Sequence, residues 1–105
     1  LMWFNTLESP PPPGLMKEIS IEGVSLVVTN LDSQFYCFDN RCPHEEFNLS
    51  LGCIKDGNVR CALHGYEFNL NSGNCSEEDI PSLVRYPVKV KDKLVFVQMR
   101  EINEL

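Results

Sequence analysis

Histidine occurs only twice and tryptophan once in this 105-residue chain, and positive charge is scarce, with 9 Lys and Arg against 15 Asp and Glu for a formal net charge of -6. That shortage excludes a phosphate-backbone binder, because a nucleic-acid footprint needs clustered Lys and Arg, and here they are scattered from Lys17 to Arg100. A basic protein partner suits the surface better. Long apolar runs are also missing: stretches such as 26–28 and 94–97 fall far short of the ~20 residues a membrane-spanning helix needs. The N-terminus lacks the charged region and apolar core of a secretion signal. The expectation is a soluble, cytoplasmic monomer with no membrane and no nucleic-acid partner. At this length a single domain over 1–105 is expected, with one small core and no room for a separate catalytic domain. The five cysteines are an odd number, so they do not all pair within one molecule, and a disulfide scaffold is disfavoured.

What is present reads as a small all-β domain. Short runs rich in Val, Ile, Phe and Tyr recur at 15–21, 24–29, 35–38, 53–54, 59–61, 67–70, 84–90 and 94–98. Turn residues separate them: Glu22-Gly23, Asn30-Leu31-Asp32-Ser33, Asp56-Gly57, Asn71-Ser72-Gly73 and Lys91-Asp92-Lys93, as tight antiparallel connections require. No amphipathic helix of useful length appears. A sandwich or small partial barrel follows. Four prolines, Pro10 to Pro13, followed by Gly14, exclude helix or central strand there and read as a stiff extended connector between a first strand and the body.

Both histidines fall in two short cysteine motifs: Cys42-Pro43-His44, then sixteen residues, then Cys61-Ala62-Leu63-His64. Each motif offers one thiolate and one imidazole from a loop at a strand end, and the Asp56-Gly57 hairpin between them folds the two loops together. Soft sulfur and imidazole donors suit zinc or iron, whereas calcium or magnesium needs oxygen ligands. A zinc finger groups its cysteines in one pair and its histidines in another, while here each pair is mixed; a mononuclear zinc site nonetheless remains an alternative at this point.

The C-x-H, sixteen residues, C-x-x-H pattern resembles the Rieske [2Fe-2S] family. The resemblance extends to Pro43 and Gly65, the Leu49-Ser50-Leu51-Gly52 run, the His64-Gly65-Tyr66-Glu67-Phe68 run, the Ser72-Gly73-Asn74-Cys75 turn and Pro81. Residues 15–98 resemble a stand-alone Rieske ferredoxin. It implies a Rieske-like antiparallel sandwich with a two-loop cluster-binding subdomain at about 40–82, and one [2Fe-2S] cluster. It implies that Cys42 and Cys61 hold one iron and His44 and His64 the other.

Two ferric ions, two sulfides, two thiolates and two neutral imidazoles sum to zero charge, against minus two with four thiolates. Adding an electron is therefore easier, which places Rieske potentials at about −150 to +300 mV, above plant-type clusters. High-potential relatives carry an extra cysteine in each loop and a serine after the second His-Gly pair; here Phe47, Ala62 and Tyr66 stand there, which resembles the low-potential ferredoxin branch. Glu45, Glu46, Glu77, Glu78 and Asp79 are read as a solvated face that also steers basic redox partners. Cys37 and Cys53 are expected to be buried thiols.

The resemblance implies an electron carrier, not an enzyme, with no catalytic residues, passing electrons from a reductase to a terminal oxidoreductase such as a Rieske-type oxygenase. The alternatives are a small subunit like that of nitrite reductases and a zinc-stabilised interaction module. Ala62-Leu63 stands where oxygenase-linked ferredoxins commonly have Pro-Trp, a departure from the family's usual docking surface.

Overall fold

Four tight hairpins organise the chain, each closed by two residues with positive φ: Glu22-Gly23, Asp32-Ser33, Asp56-Gly57 and Asp92-Lys93. Two successive left-handed residues match the right-handed twist of the flanking strands, and Asp and Gly tolerate that backbone best. The computed structural model describes residues 1–100, and the expected single domain over 1–105 therefore includes five residues outside those described. The strands are β1 (Met2–Asn5), β2 (Met16–Ile21), β3 (Val24–Leu31), β4 (Gln34–Asp39), β5 (Cys53–Lys55), β6 (Asn58–Arg60), β7 (Glu67–Asn69), β8 (Arg85–Tyr86), β9 (Val88–Lys91) and β10 (Leu94–Met99). A single 3-10 turn, Leu49–Leu51, is the helical element among the described residues. The all-β expectation holds. No helix is long and apolar enough to cross a membrane among these residues.

The strands form three antiparallel sheets, ordered β1-β10-β9, β2-β3-β4-β8 and β5-β6-β7. Alternation along β3 explains why residues 26–28 form an uninterrupted apolar run. Val27, opposite Phe38 in the register, belongs to one core with Leu49, Val59, Phe68 and Leu70. Leu26 and Val28, the latter opposite Cys37, belong to a second core with Ile19, Val95 and Val97. The middle sheet is thus covered on both faces. Each fully buried Phe or Leu contributes roughly 1.5–3 kcal/mol, so the first core, through Val59 and Phe68, holds the third sheet onto the middle one, and the second core joins the middle sheet to the β1-β10-β9 sheet.

The run 84–90, expected as one strand, is two. Residues of β8 pair with β4, Tyr86 opposite Cys37, while β9 pairs with β10, Val88 opposite Val97. Pro87 lies between them and has no N–H for either ladder, so the chain changes sheets there; its carbonyl still accepts the Gln98 N–H at 2.9 Å. The polyproline segment connects β1 to β2 as expected. Asn30 Nδ2 donates to the Pro11 carbonyl at 3.0 Å, and the Gly14 N–H donates to the Asn30 carbonyl at 2.8 Å.

Candidate metal centre

The two cysteine motifs form loops of the same construction. In the first, which follows β4, the Cys42 N–H donates to the Phe47 carbonyl at 2.9 Å; in the second, which follows β6, the Cys61 N–H donates to the Tyr66 carbonyl at 2.9 Å. Each cysteine thereby closes a six-residue loop carrying its histidine. Gly65, at φ 75°, lets the second loop reverse directly after His64, and its N–H donates to the Cys61 carbonyl at 3.0 Å.

The loops meet. Donor atoms of Cys42, His44 and Cys61 lie within 4.8 Å of one another, and so do those of His44, Glu45 and His64, with His44 common to both groups. His44 turns Nδ1 toward Cys42 Sγ, 3.6 Å away, and Nε2 toward His64 Nδ1, 2.7 Å away. The cysteines are buried, at 1% and 0% exposure, while His64 is exposed and the His44 side chain retains only 9%. The tyrosine two residues past His64 packs its ring edgewise against His44, with centroids 4.4 Å apart.

Burial pushes the Cys42 thiol up from its ordinary value; backbone N–H groups of His44 and Glu45 oppose that shift and the neighbouring Cys61 thiol reinforces it. The buried Cys42 thiol therefore resists ionisation unless a cation neutralises it. Two such sulfurs beside two imidazoles are the donor chemistry of a mixed-ligand [2Fe-2S] group, and the residues present fit it.

The supporting contacts centre on Asn40, to which no sequence motif pointed, and on the Leu49-Ser50-Leu51-Gly52 run. Asn40, 1% exposed, immediately precedes the first loop. Its Nδ2 donates to Glu18 Oε2 at 2.7 Å and Ser25 Oγ at 3.0 Å, and its Oδ1 accepts the Ser50 N–H at 2.8 Å. Its backbone carbonyl accepts the Leu49 N–H at 2.7 Å. One side chain thus ties the far end of the loop to β2 and β3. Gly52 joins the loops differently: a Cβ there would lie 1.8 Å from the Arg60 carbonyl oxygen, so only glycine permits the chain to pass so close to the residue before Cys61.

All five cysteines are unpaired. Cys37 is buried as expected, and burial, reinforced by Asp39, pushes its thiol up to about 12. Cys53 corrects the expectation of a buried thiol: it is exposed, because β5 is an outlying three-residue strand whose middle residue, Ile54, alone turns toward the core. Glu45 and Glu46 are exposed beside the first loop, Glu45 Oε1 3.9 Å from His44 Nε2 and Glu46 Oε1 3.5 Å from Arg41. The hollow beside His44 is closed on its other side by Pro81 and Ser82 rather than by Glu77, Glu78 or Asp79. A second hollow, beside His64, is lined by Leu51, Cys53, Arg60, Ala62 and Leu63.

Residues 4–92 match the family model for the Rieske [2Fe-2S] domain. The biphenyl dioxygenase ferredoxin subunit of Pseudomonas sp. (strain KKS102) is 31% identical over 88 residues, covering 82% of this chain and 81% of that protein. Human apoptosis-inducing factor 3 is also 31% identical over 88 residues, covering 81% of this chain, which spans 14% of its length. A solved complex of reduced oxygenase and oxidized ferredoxin in carbazole 1,9a-dioxygenase contains a chain 27% identical to this one, with a TM-score of 0.76, covering 84% of this chain and 92% of that one. Loops, donor set and relatives agree, and the chain belongs to the Rieske [2Fe-2S] domain family.

Proposed function

We propose that this protein is a one-electron carrier in which Cys42 and Cys61 hold one iron of a [2Fe-2S] cluster through Sγ and His44 and His64 hold the other through ring nitrogens. The observation that carries this reading is the meeting of two like loops at His44, whose ring lies beside the buried Cys42 and Cys61 on one side and faces His64, the only other histidine of the chain, on the other. The group supplies one reversible electron, at a potential in the lower half of about −150 to +300 mV. The chain's own residues do the rest. Buried Cys42 and Cys61 keep their sulfurs from water, and exposed His64, with Leu63 at 38% exposure beside it, offers a partner close approach. The cluster-binding subdomain spans about 40–82.

The ferredoxin relatives support a terminal oxygenase as acceptor, and a reductase is the donor in this reading. The net charge of -6 and the exposed Glu45 and Glu46 support basic surfaces on those partners. The unpaired cysteines support a reducing, cytoplasmic compartment, and we read the chain as a soluble monomer. A second reading, an electron-transfer domain of a larger protein, is favoured by the match to apoptosis-inducing factor 3, of which this chain spans 14%.

Anaerobic purification with iron and acid-labile sulfide assays and paramagnetic resonance of the reduced form tests the cofactor. Equal iron and sulfide with a Rieske-type signal is expected; a colourless zinc protein would refute it. His64→Cys replaces a neutral ligand by an anion and is expected to lower the potential, and an unchanged potential would remove His64 from the ligand set. Sedimentation or co-purification at moderate salt separates the readings, since a transient carrier complex dissociates and an obligate subunit does not.

A further inference from the structure

We infer that Tyr66 is a positioning residue that sets the orientation of the His44 ring, a role that rests on the reading of His44 as a ligand. The two belong to different loops. His44 stands on the loop after β4, and Tyr66 is carried by the loop after β6, so their contact spans the cleft in which the donor atoms converge. The Tyr66 ring meets His44 at a centroid distance of 4.4 Å and an interplanar angle of 67°, an edge-to-face arrangement, while its ring centroid is 6.0 Å from that of His64.

The backbone dictates this geometry. Gly65 at φ 75° turns the chain between His64 and Tyr66, and the Tyr66 carbonyl is pinned by the Cys61 N–H, so the ring leaves its own loop and crosses to the other. On its inner side Tyr66 packs against the core that contains Cys42, Cys61 and Phe68, which removes its freedom to swing away.

An imidazole is free to turn about its Cβ–Cγ bond, and a half-turn exchanges Nδ1 with Cδ2 and Nε2 with Cε1 toward any fixed neighbour. Here Nδ1 faces Cys42 Sγ at 3.6 Å and Nε2 faces His64 Nδ1 at 2.7 Å, on the polar side of the ring. Tyr66 supplies an aromatic surface against the ring that restricts this rotation and shields the His44 side chain to 9% exposure, whereas His64 remains exposed. The two imidazoles also meet each other edgewise, with centroids 4.7 Å apart, so Tyr66 holds the two unequally: His44 closely at 4.4 Å and His64 only at 6.0 Å. Edge-to-face packing is a property of the ring, so phenylalanine preserves it and an aliphatic side chain removes it.

The test compares wild type, Tyr66→Phe and Tyr66→Leu after cluster assembly. The readouts are the nitrogen hyperfine couplings and g-values of the reduced state, the reduction potential, and the rate of iron release to a chelator. Tyr66→Leu is expected to change the coupling of one of the two histidines and to release iron about 2- to 12-fold faster, the range an aromatic pair supplies, while Tyr66→Phe matches wild type. Unchanged couplings and release in Tyr66→Leu, or equal changes in Tyr66→Phe and Tyr66→Leu, would overturn the inference. If Tyr66→Leu does not fold, Tyr66→Met fills the same space without a ring and is judged by the same readouts. Absence of iron and sulfide from the wild type would refute the ligand reading itself, a result distinct from either.

Discussion

Asn40→Asp changes one NH2 group to oxygen without altering side-chain shape, and the consequences can be worked from the contacts. The substitution removes both donors, to Glu18 Oε2 at 2.7 Å and to Ser25 Oγ at 3.0 Å, and keeps the acceptor for the Ser50 N–H. Loss of a hydrogen bond to a charged group costs about 1.5–3 kcal/mol and of a neutral one about 0.5–1.5 kcal/mol. The two carboxylates then face each other, but the repulsion is capped, because taking up one proton at pH 7 costs only about 4 kcal/mol for a carboxyl with an ordinary value near 4. Glu18 is solvent-exposed, so water screens it further. The expected destabilisation at pH 7 is therefore about 2–5 kcal/mol. A proton shared by the pair raises a folded-state pKa above its unfolded value. The stabilising protonated form is present at low pH and is lost as pH rises, so the deficit shrinks by up to about 1.4 kcal/mol per unit on going from pH 7 toward pH 5. Thermal unfolding of the holoprotein, wild type and variant measured in pairs at each pH, provides the assay, with a fall in Tm of about 10 °C or more at pH 7. Asn40→Ala, which leaves the Ser50 N–H unpaired, is the control, with a similar deficit and little pH dependence. An Asn40→Asp variant as stable as wild type at pH 7, or with the same deficit at pH 5.5 and pH 8, would refute the reasoning.

Gly52→Ala forces a Cβ to within 1.8 Å of the Arg60 carbonyl oxygen and is expected to destabilise by about 3 kcal/mol or more, whereas Gly23→Ala, strained only by its φ of 80°, costs about 1–2 kcal/mol; equal losses in denaturation would contradict this. Titration of the holoprotein with a thiol reagent is expected to lose its fastest-reacting group in Cys53→Ser, because Cys53 is exposed whereas Cys75, also free, is half-buried and reacts more slowly. Cys37, pushed up to about 12, holds about one thiolate in ten thousand at pH 8 and stays silent until the protein unfolds. Glu45→Gln with Glu46→Gln is expected to slow association with a basic electron-transfer partner at low salt and to leave the rate unchanged at high salt, as measured by stopped-flow oxidation; a salt-independent effect would mean that these carboxylates do not steer.

The parts of the fold legible in the sequence were those set by neighbours along the chain. The Glu22-Gly23, Asp56-Gly57 and Asp92-Lys93 turns appear where their residue types placed them, and in the 30–33 segment only Asp32 and Ser33 turn, because Asn30 and Leu31 keep their pairing with Phe35 and Gln34. Pro87 was visible, but its effect was not. A proline without an N–H demands a break in the ladder, and which sheet each side then joins depends on β4 and β10, distant in sequence. The exposure of Cys53 escaped the pattern because three residues are too few to display a period of two.

For the site, residue type and spacing were sufficient by themselves to nominate Cys42, His44, Cys61 and His64, since a donor set is a matter of chemistry and each pair is local to one loop. The sequence likewise determined the all-β class and the acidic charge. Tertiary structure decided the arrangement around the donors: Asn40 reaching Glu18, Ser25 and Ser50, Gly52 against Arg60, and the Tyr66 ring against His44. Each joins residues from separate strands or loops. Side chains such as these are unremarkable in a list of residues, and their roles exist only once burial of the cores against the middle sheet has brought the two loops together.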